Sequence, residues 1–198
     1  MAQRFTHTLL TPSVQRAQEH YYGRSAASEF APEHDPLTGD EEDFIAARDS
    51  FYIATISENG WPYMQHRGGP PGFLHVAGPT QLLFADFRGN RQLLSTGNLA
   101  ANHRVALFLM DYPNRQRLKI LGHARTADAR EHPDLVEKIA DPRLADKVER
   151  IFFIDVLSYD WNCPKYITPR FTAAEVSRFV EPLQRRIAEL EAQLKARE

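Results

Sequence analysis

Cysteine is all but missing from this chain. Cys163 is the only one in 198 residues, so no disulfide can form within the molecule and no multi-cysteine zinc site can be built. Long apolar runs are missing too. Nothing approaches the roughly 20 residues that span a bilayer, and the opening MAQRFTHTLLTPSVQ lacks the apolar stretch of a secretion signal. The sequence reads as a soluble, reduced, cytoplasmic protein with no membrane partner. Neither sign of charge dominates: 24 Lys and Arg stand against 26 Asp and Glu, a net charge of −2. Nucleic acid is excluded as the main partner, because such binding needs many Lys/Arg contacts to phosphate. A small anion needs only local charge.

Catalytic signatures are equally scarce. Eight histidines are present, yet none falls in a His-x-His or His-Glu-x-x-His pattern, and His7, His20, His34 and His132 sit in polar segments, so no metal site is expected. There is no Gly-x-Ser-x-Gly elbow and no base assignable to Cys163. No catalytic residue can be assigned on this basis. That lack fits a protein whose reactivity belongs to a cofactor.

What the chain does have is punctuation. Thr11-Pro12-Ser13 opens a helix over 14–22, stopped by Gly23. Residues 25–40, with Pro32, Pro36 and Gly39, read as an extended arm, and the acids at 40–43 open a second short helix. From Phe51 the pattern turns to strands, over 51–57, 61–66, 73–77, 82–87, 105–112, 117–126 and 151–157. Asn59-Gly60 predicts a tight hairpin with both residues at positive φ. The run 106–110, ALFLM, is expected to be buried on both faces. Residues 91–101 have helical spacing that Gly97-Asn98 should break, and 133–141 form another helix. Seven short strands with one or two crossing helices predict a mainly β, antiparallel barrel rather than a parallel α/β sheet. The organisation is a helical arm over 1–48, a barrel over 49–172 and a helical tail over 173–198. In that tail Val176, Val180, Leu183, Ile187, Leu190 and Leu194 recur at spacings of four and three, an apolar seam that calls for a partner. Pro182 is expected to kink or restart this helix.

Two clusters, Arg67-Gly68-Gly69 and Arg88-Gly89-Asn90-Arg91, carry the chemistry. Glycine lets backbone N–H groups approach a ligand, and a guanidinium offers a planar fork to phosphate. Asn90 is placed to cap the helix that follows, whose free N–H groups could face the same anion.

These residues resemble a known family. Phe-Tyr-Ile-Ala-Thr from Phe51, Trp-Pro at Trp61, His-Arg-Gly-Gly-Pro-Pro-Gly-Phe from His66, Asp-Phe-Arg-Gly-Asn-Arg from Asp86, Ser-Thr-Gly-Asn-Leu from Ser95 and Arg-Leu-Lys-Ile-Leu-Gly from Arg117 are similar to flavin-nucleotide-binding proteins related to pyridoxamine 5′-phosphate oxidase. The likeness runs over 37–124, with Asn-Cys-Pro-Lys at 162–165 as a further point. It implies an FMN-binding split β-barrel, a homodimer with flavin at the interface and a small-molecule substrate. Carried over by position, Arg67 with its neighbours His66 and Gly68 falls on the first phosphate grip. Asp86, Asn90, Arg91 and Ser95 fall on the second, Arg117 and Lys119 beside the flavin ring, and Asn162, Cys163, Lys165 and Tyr166 over the flavin from the partner copy. Three departures stand out. The true oxidase has a lysine where this chain has Gly72, a Ser-Arg-Lys run that Leu93-Leu94-Ser95 does not reproduce, and a C-terminal arginine and histidine motif replaced here by the tail. The resemblance therefore implies an FMN oxidoreductase other than a true pyridoxamine 5′-phosphate oxidase. A flavin sensor without catalysis and a haem-binding split barrel are the rival readings.

Overall fold

A computed structural model describes residues 3–26, 31–89, 91–161 and 164–196. Asn90, Asn162 and Cys163, all assigned to the cofactor above, lie outside the described residues. The chain divides into two compact units, residues 3–110 with 117–161 and residues 111–116 with 164–196.

The first unit holds α1 (Gln3–Leu9), α2 (Pro12–Tyr22), α3 (Gly39–Ala46), α4 (Leu94–Ala101) and α5 (Pro133–Ile139). These surround strands β1 (Ser50–Ile56), β2 (Pro62–Gly68), β3 (His75–Gly78), β4 (Gln81–Phe87), β5 (Arg104–Asp111), β6 (Gln116–Asp128) and β7 (Val148–Trp161). The seven strands make one antiparallel sheet in the order β2-β1-β5-β6-β7-β4-β3. β1 and β4 stand near opposite ends of that order, yet Phe51 of β1 packs edge-on against Phe84 of β4 at 5.4 Å and stacks on Phe73 at 5.5 Å. The sheet therefore curls back on itself. Phe51, Ile53, Phe84, Leu107, Ile120, Phe152 and Ile154 fill the interior. A smaller cluster, including Leu83, Ile139, Ile151 and Phe153, forms where α5 covers the other face of β4 and β7.

Several local expectations need correction. The Asn59-Gly60 hairpin is present, but only Gly60 has positive φ, at 88°. Gly60 N donates to Ser57 O at 2.8 Å and Ser57 N to Trp61 O at 2.9 Å, and Asn59 instead accepts from the Ser57 hydroxyl at 2.5 Å, so the loop is a three-residue one with glycine at the positive-φ position. Gly97-Asn98 does not break α4. Asn98 Nδ2 donates to Thr55 Oγ1 at 2.8 Å and Leu99 is buried, and these contacts override weak propensity. In β5 the run 106–110 is not buried on both faces. Val105, Leu107 and Leu109 point inward, whereas Ala106 is exposed and Phe108 and Met110 are half-buried.

α3 is tied to β7 through a buried carboxylate. Glu41 accepts from Thr38 N at 2.9 Å, from Thr38 Oγ1 at 2.6 Å and from Trp161 Nε1 at 2.5 Å. Burial pushes its carboxyl up, but hydrogen bonds from Thr38, Trp161 and Tyr159 outweigh burial, and the group ends below its ordinary value. The Tyr159 phenol, half-buried and facing the Glu41 charge, is pushed up to about 12.

In the second unit, α6 (Ala173–Lys195) starts at a capping box in which Thr172 and Glu175 bond each other's backbone N–H. α6 runs through Pro182 as one helix, without the expected restart. Among the described residues no helix is long and apolar enough to cross a membrane.

Candidate functional site

Alternation along β2 sorts its side chains. Tyr63, Gln65 and Arg67 turn half-buried to one face, and Met64, His66 and Gly68 lie exposed on the other. On the first face lies a cleft of about 180 Å³, walled by β2, the end of β4, the loop after it and the first turn of α4. Its charged lining is Arg67, Asp86, Arg91 and Arg150.

Asp86 organises this group. It is only 5% exposed and is held by two guanidiniums: Arg67 Nη1 donates to Oδ1, and Arg150 Nε donates to Oδ2 at 2.9 Å. The Arg67 guanidinium lies over Phe84 and Phe152, 5.6 and 5.1 Å from the ring centroids. The Arg67 Nε is buried without a hydrogen-bond partner. Arg150 Nη2 also reaches Glu149 Oε2 at 3.1 Å, and Arg88 Nε shares that carboxylate at 3.1 Å. Within the cleft lining itself three arginines face one aspartate, an excess of positive charge that suits a phosphate monoester. Leu94, Ser95 and Thr96 of the first turn of α4 line the same cleft, and the opening N–H groups of a helix have no partner inside it. Ser95 Oγ donates to Gln65 Oε1 at 2.9 Å, which fixes the hydroxyl while leaving its oxygen able to accept.

The loop between β4 and α4 carries strain. Arg91 and Leu93 adopt φ of 60° and 55°, a left-handed conformation that costs roughly 1–2 kcal/mol per non-glycine residue. The N-cap of α4 is Leu93, whose side chain makes no cap hydrogen bond.

The remaining assigned residues are placed elsewhere. The His66 ring packs edge-on to Tyr52 at 5.5 Å on the outer face. Gly68 lies on that face as well, and a Cβ there would stand 3.1 Å from the His66 ring. The backbone of this glycine pair is not offered to a ligand: Gly69 N donates to Asp49 O at 2.9 Å, and a Cβ at Gly69 would overlap Phe73 at 2.6 Å. Arg117 and Lys119 on β6 do not line the cleft. The Arg117 guanidinium is 5.4 Å over Phe108 and its Nε is buried unpartnered, while Lys119 pairs with Asp160 at 2.6 Å. Lys165 and Tyr166 belong to the second unit, where Lys165 Nζ sits 5.2 Å over the Tyr166 ring and Tyr166 has φ of 68°. Among the described residues no group of three His, Cys, Asp or Glu is placed to hold a metal.

Arg150, Gln65 and Tyr63 are among the lining residues that sequence reasoning missed. The missing signal is pairing: Asp86 is the register partner of Arg150 across β4 and β7, and no local pattern reveals that.

The pyridoxamine 5′-phosphate oxidase family matches residues 37–151, more than half of the sequence. The chain belongs to the pyridoxamine 5′-phosphate oxidase family. The family match contains Arg67, Asp86, Arg91, Ser95 and Arg150, whereas α6 lies beyond it. Solved structures are similar to this chain at low identity. A protein of Clostridium acetobutylicum related to general stress protein 26 is 15% identical over 62% of this chain and 85% of its own, with a TM-score of 0.47. HupZ of Group A Streptococcus is 10% identical over 68% and 99%, with a TM-score of 0.49. An FMN-binding protein of Syntrophomonas wolfei is 9% identical over 61% and 81%, with a TM-score of 0.43. No curated protein matches the sequence.

Proposed function

We propose that this protein binds FMN with its phosphate in the cleft around Asp86 and acts as an oxidoreductase on a small molecule, without being a true pyridoxamine 5′-phosphate oxidase. The observation that carries this reading is the excess of guanidinium over carboxylate in a cleft that also contains the first turn of α4. The unpartnered Arg67 Nε is a further donor in want of an acceptor. In this arrangement Asp86 holds Arg67 and Arg150 in place before any ligand arrives, which lowers the ordering cost of binding. Arg91 and the α4 N–H groups complete the phosphate grip. Bound there, FMN supplies the hydride chemistry, and the protein supplies position and charge.

A homodimer is part of the same reading. The outer face of β1, β2 and β5 exposes Tyr52, Ile56, Met64 and Ala106 beside half-buried Phe108 and Met110, a contiguous apolar surface of the kind that marks an interface.

The absorption spectrum of the purified protein and an FMN titration test the reading. Charge-assisted hydrogen bonds contribute roughly 1.5–3 kcal/mol each, so Arg67→Ala should weaken FMN binding roughly tenfold to a hundredfold. Unchanged affinity would show that the phosphate lies elsewhere, and a Soret band without flavin would favour a haem protein. Reduction of the bound flavin by a nicotinamide donor without air separates an oxidoreductase from a sensor.

A further inference from the structure

The apolar seam of α6 is uncovered. Val176, Val180, Leu183, Ile187, Leu190 and Leu194 are each more than a third exposed, from 37% at Val180 to 64% at Leu194. Their 4-3-4-3-4 spacing puts Val180, Ile187 and Leu194 at a positions and Val176, Leu183 and Leu190 at d positions of a heptad repeat. In the middle four layers, Val180 and Ile187 at a with Leu183 and Leu190 at d give the β-branched and leucine pairing that favours two parallel strands.

We propose that α6 forms a parallel, two-stranded coiled coil with α6 of a second copy of this chain. The flanking charges select both the occupant and its direction. Arg186 falls at g and Glu191 at the e position that follows. In a parallel pair each Arg186 faces Glu191 of the second copy, and the two-fold axis makes this contact twice. The antiparallel alignment that keeps all six layers sets Val180 opposite Leu190 and brings Arg186 against Arg186. The same surface is thus attractive in one direction and repulsive in the other. The present partner of Arg186, Glu189 at 3.0 Å, is an exposed i,i+3 contact of the kind that competes only weakly. Pro182 falls at c, on the solvent side, so its ring and missing N–H stay out of the seam. Three heptads are marginal by themselves, and tethering to a barrel that is itself dimeric raises their effective concentration. To that extent the inference rests on the homodimer reading above.

Disulfide trapping of the full-length chain tests it. Leu190→Cys places a thiol at d, facing itself in a parallel pair, and Ala188→Cys places one at the outward b position. Under mild oxidation Leu190→Cys should give at least several-fold more covalent dimer than Ala188→Cys or the unaltered chain, whose Cys163 sets the background. Glu191→Arg should lower the reversible dimer population, and adding Arg186→Glu should restore it. Equal trapping at 188 and 190 overturns the coiled coil. Light scattering on the same samples tells which reading has failed: a dimer without trapping removes the coil alone, and a monomer removes the barrel dimer with it. Flavin retention stands as a separate readout in every case.

Discussion

At the scale of single residues the barrel tolerates very little at some positions and leaves others open. Gly122 sits at the bulge in the β6–β7 pairing, where a Cβ would stand 2.5 Å from Asp155 O. Only backbone movement could relieve that overlap, so Gly122→Ala should cost roughly 1–3 kcal/mol. Gly97, inside α4, has open space around its missing Cβ, and Gly97→Ala should instead add roughly 0.5–1 kcal/mol. Urea denaturation midpoints moving in opposite directions would check both. Glu41 and Tyr159 set the pH limits. A carboxyl held below its ordinary 4.5 stabilises the fold above that pH, and its contribution fades as pH falls through the lowered value. A phenol raised from 10.0 to about 12 stabilises the fold below pH 10, and that contribution is lost as pH climbs toward 12. Stability measured against pH should fall at both ends, and Tyr159→Phe should flatten the alkaline decline and, by removing a hydrogen bond to Glu41, soften the acid one as well. The sequence exposed Arg67 and Arg91 through their glycine-rich neighbourhoods. It could not expose Arg150, whose place in the cleft depends on a strand pairing across 64 residues.

At the scale of elements, strands were easier to read than helices. All seven strands follow from β-rich runs and turn residues, whereas α1 has no cap or periodicity to mark it. α1 exists because the Arg4 and Phe5 N–H groups donate to the Asp35 carboxylate at 3.3 and 3.2 Å and Phe5 is buried. Those are tertiary reasons, invisible in a seven-residue window. α6 shows the opposite case, a helix whose heptads outweigh an internal proline. Proline costs about 3 kcal/mol in a helix interior through its missing N–H and its clash with the preceding turn. Pro182→Ala should therefore raise helix content and the melting temperature followed by circular dichroism, with flavin binding unchanged. No gain in either would mean that the helix is already bent around the proline at little cost.

At the scale of the whole molecule, the seam of α6 and the cleft around Asp86 belong to different compact units, which predicts separable losses. Deleting residues 173–198 should leave FMN affinity and barrel unfolding near their full-length values while weakening the dimer. Titration, denaturation and light scattering on one preparation would read all three. Composition and strand count made an antiparallel barrel-like β fold legible. The order of strands around it was not, since β7, the last made, inserts between β6 and β4. That insertion has a consequence for biosynthesis. During translation the β1–β2 and β3–β4 hairpins can each zip locally as they emerge, but β4 keeps a bare edge until residues 148–161 have been made. Strand pairings this distant in sequence form slowly, and an open β edge on a nascent chain invites pairing with a neighbouring one. Chaperone demand should therefore peak late, when all but one strand of the barrel is already outside the ribosome.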